Sequence, residues 1–174
     1  MTVEAALGGR DAWVLAPLVC LVMGSVAVYL VGRLVTRRSW VLAAVTAATF
    51  VALLFCLVAL ALDLGQAERA GGLSPMWGCA DAGGACLEVR RGGLLMCSIA
   101  AGLGLCVALY SGRYLALDRR YRTFYPLLLL MVAGLTGMVM ASDLFSLYMF
   151  CELMSVTAYV LVAFRRTTDT AVEA

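Results

Sequence analysis

A single carboxylate in a long apolar run is the residue of this chain best placed to do chemistry. Glu152 is the only ionisable side chain between Leu144 and Phe164, near the middle of the run. A carboxylate at the centre of a bilayer costs roughly 2.5–3.5 kcal/mol on insertion scales, so it persists where it is paired, hydrated or used, and its default role is a proton or ion site. Tyr148, Ser155 and Tyr159 accompany it. At 100° per residue these four positions fall within about 60° of one another, a polar seam on an otherwise apolar helix that can hold water and position a proton. The same residues also suit a plainer role, in which Glu152 hydrogen-bonds a neighbouring helix while the tyrosines and serine pack.

The other candidate chemistry lies in the longest polar connection. Cys79 and Cys86 flank the turn-forming tetrad Asp81 to Gly84, and Leu87 and Val89 suit a strand, so a short hairpin with facing cysteines is expected. The pair is either a disulfide, which an oxidising compartment permits, or two ordinary thiols. A spacing of this kind with no histidine is poor metal-ligand geometry, and no metal site is expected. Cys20, Cys56, Cys97, Cys106 and Cys151 lie in apolar stretches, where cysteine behaves as a small hydrophobe. No cysteine or histidine spacing suits an iron–sulfur or haem centre, so no cofactor is expected, nor any catalytic residue set.

Composition decides what must position these groups. Hydrophobic residues make up 64% of the 174 residues and charged ones 14%, with a mean hydropathy of +0.97. No water-soluble domain of this size covers so much apolar surface, so the chain is an integral membrane protein in contact with the bilayer. Its 13 basic residues are all arginine, with no histidine anywhere, so any proton relay must rest on carboxylates, Tyr, Ser/Thr and water. A net charge of +2 and the absence of a basic block give no reason to expect a nucleic-acid partner.

The expected fold is all-α, with five transmembrane helices over about Ala12 to Gly32, Trp40 to Leu62, Gly93 to Ser111, Phe124 to Ala141 and Leu144 to Phe164. Each is long enough to cross a hydrocarbon core of roughly 30 Å. The first lacks the basic n-region and cleavage site of a signal peptide. The chain divides into residues 1–62 with helices one and two, an outer polar loop over 63–92, and residues 93–174 with helices three to five, an Arg-rich loop and a tail. Arg33, Arg37 and Arg38 follow the first span, Arg113, Arg119, Arg120 and Arg122 the third, and Arg165 and Arg166 the fifth. Alternating spans put all three groups on one side, so the N-terminus is expected outside and the C-terminus in the cytoplasm. Pro17 is expected to kink the first span, and Pro126 to stand near the start of the fourth. Gly102, Gly104, Gly134 and Gly137 remove bulk where helices approach, and Gly134 with Gly137 is expected to bring helix four close to the Glu152 stripe.

The stretch from Tyr110-Ser-Gly-Arg-Tyr through Asp143-Leu-Phe-Ser-Leu-Tyr-Met-Phe-Cys-Glu-Leu-Met-Ser to Tyr159-Val-Leu resembles the antiporter-like, proton-conducting membrane subunits. These belong to respiratory complex I (subunits M, N and L of NADH-quinone oxidoreductase), multi-subunit sodium/proton antiporters and related membrane-bound hydrogenases. The resemblance covers residues 110–174 well, and the first hundred residues by helix count and loop placement. It implies that Glu152 matches the fifth-helix glutamate of the proton path. It also implies other membrane subunits as partners, a multi-pass place in the plasma membrane, and ion translocation without catalysis of its own.

Members of that family have roughly fourteen helices in inverted repeats. This chain would hold three leading helices and the first two of the first repeat, as the N-terminal portion of such a subunit. The family's partner lysine lies on helix seven, and this chain has no lysine; where many members carry an aspartate before the third span, it carries Arg90. In a complete subunit a neighbouring ammonium stabilises the charged carboxylate while desolvation favours the neutral acid, and shifting that balance loads and unloads a proton. The alternative within the same family is a non-conducting structural or assembly subunit.

Overall fold

The computed structural model describes the backbone of residues 2–34, 39–69, 76–80, 85–114 and 121–163, and side chains within 14–34, 41–66, 87–112 and 123–163. The helices are α1 (Thr2–Leu34), α2 (Ser39–Arg69), α3 (Arg91–Tyr114), α4 (Tyr121–Met140) and α5 (Leu144–Ala163), with strands β1 (Met76–Ala80) and β2 (Ala85–Val89) between α2 and α3. Each helix contains an apolar stretch of 18 to 26 residues, long enough to span a membrane, and the chain is a multi-pass membrane protein of five such helices.

Two helices extend beyond the spans expected from sequence. Helix α1 contains Pro17 and starts ten residues before Ala12. Helix α2 continues past Leu62 to Arg69, because Leu64 is still packed into the core and Ala67, Glu68 and Arg69 are good helix formers outside the apolar run. Pro126 stands near the start of α4 as expected, and its carbonyl accepts a hydrogen bond from Ser25 Oγ at 3.0 Å, tying α4 to α1.

Helix α4 is the centre of the bundle. It packs against α1, α3 and α5, and 56% of its span is buried, against 11% for α5. Tyr125, Leu129 and Val132 of α4 share the core with Leu21 and Val28 of α1, Phe50 and Leu53 of α2, and Cys97 and Ala101 of α3. Lipid tails are as apolar as leucine, so close van der Waals packing must hold such helices together, and small residues mark where they meet. A Cβ on Gly104 would lie 2.6 Å from the Phe50 ring, and one on Gly24 would meet Thr49. Two hydroxyls bond to their own helix: Thr46 Oγ1 donates to Leu42 O at 2.7 Å, and Ser98 Oγ to Leu94 O at 2.9 Å.

The hairpin forms where the turn residues place it. Strands β1 and β2 pair antiparallel, from Met76 opposite Val89 to Ala80 opposite Ala85. Leu87 and Val89 are buried, and Leu87 forms a further antiparallel bridge to Ala141 in the α4–α5 connection. The hairpin thereby pins the point at which the chain turns into α5.

Candidate functional site

Asp143 starts α5. Its Oδ2 accepts the Ser146 N–H at 2.8 Å and its carbonyl accepts the Leu147 N–H at 3.0 Å, so it serves as the N-cap that otherwise unpaired N–H groups require. From there an uninterrupted apolar sequence carries the helix to Ala163.

Two glycines of α4 then fix the rotation of α5. A Cβ on Gly137 would stand 2.3 Å from Phe150 Cδ1, and one on Gly134 would stand 3.0 Å from the Met154 backbone nitrogen. Ser146 and Thr157 are buried on the same side. Thr157 can turn inward because its hydroxyl bonds to Leu153 O at 2.8 Å and Met154 O at 2.9 Å within its own helix. Ser146 Oγ is buried with no hydrogen-bond partner.

The candidate site residues lie on the opposite side. Measured round the helix at 100° per residue, the stripe of Tyr148, Glu152, Ser155 and Tyr159 is centred roughly 180° from the stripe of Ser146, Phe150, Met154 and Thr157. Glu152 is exposed, Tyr148 and Tyr159 are 59% and 74% exposed, and Ser155 is half-buried. The four thus share a face, but the expectation that Gly134 and Gly137 bring helix four to that face is corrected: the space those glycines leave is taken by Phe150 and Met154. Tyr148 and Glu152 stand one turn apart on this stripe. Among the described residues Glu152 has no ion-pair partner; the ion pair seen joins Arg90 and Glu88.

That pair occupies the position where the sequence departs from the family pattern. Arg90 Nε and Nη2 donate to the two Glu88 carboxylate oxygens at 2.5 and 2.8 Å. The Glu88 carboxylate raises the guanidinium further above its usual range.

Cys79 and Cys86 are direct partners in the strand register, although their side chains lie outside the described residues. So do the side chains of the Arg clusters beyond Arg33. Among the described residues no three His, Cys, Asp or Glu side chains gather as metal ligands. Sequence reasoning passed over Asp143 as a cap and Ser146 as a buried hydroxyl. The cap was signalled by an aspartate immediately before the apolar run; the burial of the Ser146 hydroxyl follows from packing.

Five packed helices long and apolar enough to cross a membrane, with Glu152 inside the fifth, define a multi-pass membrane protein. No family model matches the chain. A segment of 95 residues, 53% of the chain, is 40% identical to the NADH-quinone oxidoreductase subunit N of Desulforudis audaxviator, of which it spans 18%. Another of 71 residues, 41% of the chain, is 38% identical to the chloroplastic NAD(P)H-quinone oxidoreductase subunit 5 of Adiantum capillus-veneris, spanning 10% of it. A third of 74 residues, 42% of the chain, is 36% identical to the Na(+)/H(+) antiporter subunit A1 of Staphylococcus aureus, spanning 9% of it. The chain is therefore similar to the antiporter-like subunit family, and these matches span less than a fifth of the relatives' own length.

Proposed function

We propose that this chain is, or forms part of, an antiporter-like proton-translocating subunit of a complex I-like NADH-quinone oxidoreductase, cation/proton antiporter or hydrogenase complex in the plasma membrane. Its N-terminus lies outside and its C-terminus in the cytoplasm. Its partners are other membrane subunits, and it carries no cofactor. The observation that supports this reading is the placement of Glu152. Packing turns it away from α4, together with Tyr148, Ser155 and Tyr159. A carboxylate left facing lipid at that depth is costly, so the stripe faces protein or water in the working assembly.

Glu152 carries the proton in this proposal. Tyr148, one turn before the carboxylate, and Ser155 and Tyr159 along the same stripe supply hydroxyls that order water on either side of it. A positive charge brought near by the covering helices stabilises the ionised form, and its withdrawal lets desolvation return the neutral acid. Alternation between the two is what moves a proton through an apolar layer.

The test compares Glu152→Gln and Glu152→Asp in the intact complex. Both should assemble; the Gln variant should lose translocation by at least about tenfold, because it cannot exchange a proton, while Asp keeps a measurable part of it. An assembled Gln variant with normal translocation would leave the structural or assembly role as the better reading.

A further inference from the structure

The hairpin is fastened to the bundle mainly through its second strand. A two-stranded hairpin standing alone is at best marginally stable in water, so its anchors decide how often it opens. Side chains alternate across the ladder, which places Leu87 and Val89 on one face and Cys86 and Glu88 on the other. Leu87 and Val89 are buried in the common core. Strand β2 packs against α1, α4 and α5, and β1 packs against α1.

The same strand is tied to the start of α5. Leu87 bridges Ala141, which lies one residue beyond α4 and two before the Asp143 cap. A movement of β2 therefore passes through a few residues of chain to the Ser146 and Leu147 N–H groups that Asp143 holds. The register adds a second connection within the hairpin. Cys79 stands opposite Cys86, on the ladder face turned away from Leu87 and Val89. Residues paired in this way lie within the Cα range of a disulfide.

We infer that Cys79 and Cys86 form a redox-operated clasp on the head of α5. Oxidised, the pair keeps β1 and β2 in register and β2 keeps the α4–α5 corner in place; reduced, the hairpin opens more often and the corner at Ala141 loosens with it. The bond acts on the open state, whose chain entropy it lowers, so the closed fold is unchanged and only the frequency of opening differs. It forms by thiol–disulfide exchange with an oxidised dithiol donor. One cysteine thiolate attacks a donor sulfur and displaces the other, and the second cysteine then attacks the mixed disulfide. The donor leaves as a dithiol, having gained the two electrons and two protons that the cysteines lose. This clasp acts on the helix that carries Glu152 whichever role that carboxylate has.

The experiment is amide hydrogen exchange, read by mass spectrometry, on the full chain in lipid nanodiscs. One sample is treated with oxidised glutathione and the other with a phosphine reductant. Reduction should speed exchange about tenfold over residues 87–89 and 140–147, and leave the interior of α3, residues 101–108, unchanged. The Cys79→Ser, Cys86→Ser double variant should exchange at the faster rate in both samples. It retains the other five cysteines, so a redox response that persists in it would overturn the assignment. So would two free thiols at Cys79 and Cys86 after oxidation, or a bond that forms while residues 140–147 exchange at the same rate in both states.

Discussion

Gly137 and Phe150 are in contact across the α4–α5 interface so closely that a Cβ on the glycine would stand 2.3 Å from the phenylalanine Cδ1. This contact sets the rotation of α5, and the rotation sends Glu152 to the side that the bundle leaves uncovered.

Replacing Gly137 should therefore loosen α5. In an open site Gly→Ala strengthens a helix, since alanine is the better helix former. At Gly137 the added methyl must displace a ring, and overpacking costs about 1–3 kcal/mol. Gly102, where a Cβ would meet nothing within 4 Å, is the control. Unfolding of the two variants in mixed detergent micelles should show Gly137→Ala destabilised and Gly102→Ala unchanged or slightly stabilised; equal behaviour would remove the contact from the account.

Asp143→Ala should cost about 1 kcal/mol, because Ser146 N–H loses its acceptor at the head of α5. Asp143→Asn should retain most of the stability. Faster amide exchange at Ser146 and Leu147 in the Ala variant is the local signature, and unchanged exchange would contradict the capping role.

The hairpin register places Cys79 directly opposite Cys86. Paired residues of an antiparallel ladder lie about 4.5–5.5 Å apart at Cα, inside the range that a disulfide needs. Intact-mass measurement of protein isolated without reductant should show the loss of two hydrogens, and a peptide joining the two cysteines. Free thiols at both positions under those conditions would refute the bond.

Orientation can be read with fusions. An enzyme reporter active only in the cytoplasm should work after Arg38 or Arg120 and fail near Asp81, following the arginine asymmetry. The reverse pattern would invert the topology.

Much of this fold was legible because bilayer thickness and span length are matched. The fifth span was expected over Leu144 to Phe164 and α5 covers Leu144–Ala163; the fourth was expected over Phe124 to Ala141 and α4 covers Tyr121–Met140. The tetrad Asp81 to Gly84 separates β1 from β2 as its turn residues imply. The end of α2 was not legible, since hydropathy reports where lipid is met and not where helical hydrogen bonding stops. Nor was the buried face of α5. Leucine, methionine, phenylalanine and valine occur all round this helix, so hydrophobic pattern gives no direction. Gly134 and Gly137 show that something comes close without showing which side of α5 does so. The seam of Tyr148, Glu152, Ser155 and Tyr159 was visible from helical spacing alone; that it faces away from α4 required the packing.

Whether Glu152 exchanges a proton during turnover is the claim on which the functional account rests. Infrared difference spectroscopy of the intact complex, comparing the resting and the working enzyme, reports carboxylic C=O stretching directly. The account predicts a band that shifts with hydrogen exchange and disappears in Glu152→Gln while the complex remains assembled. The same band persisting in the assembled Gln variant, or no carboxylic change in the wild type, would contradict it.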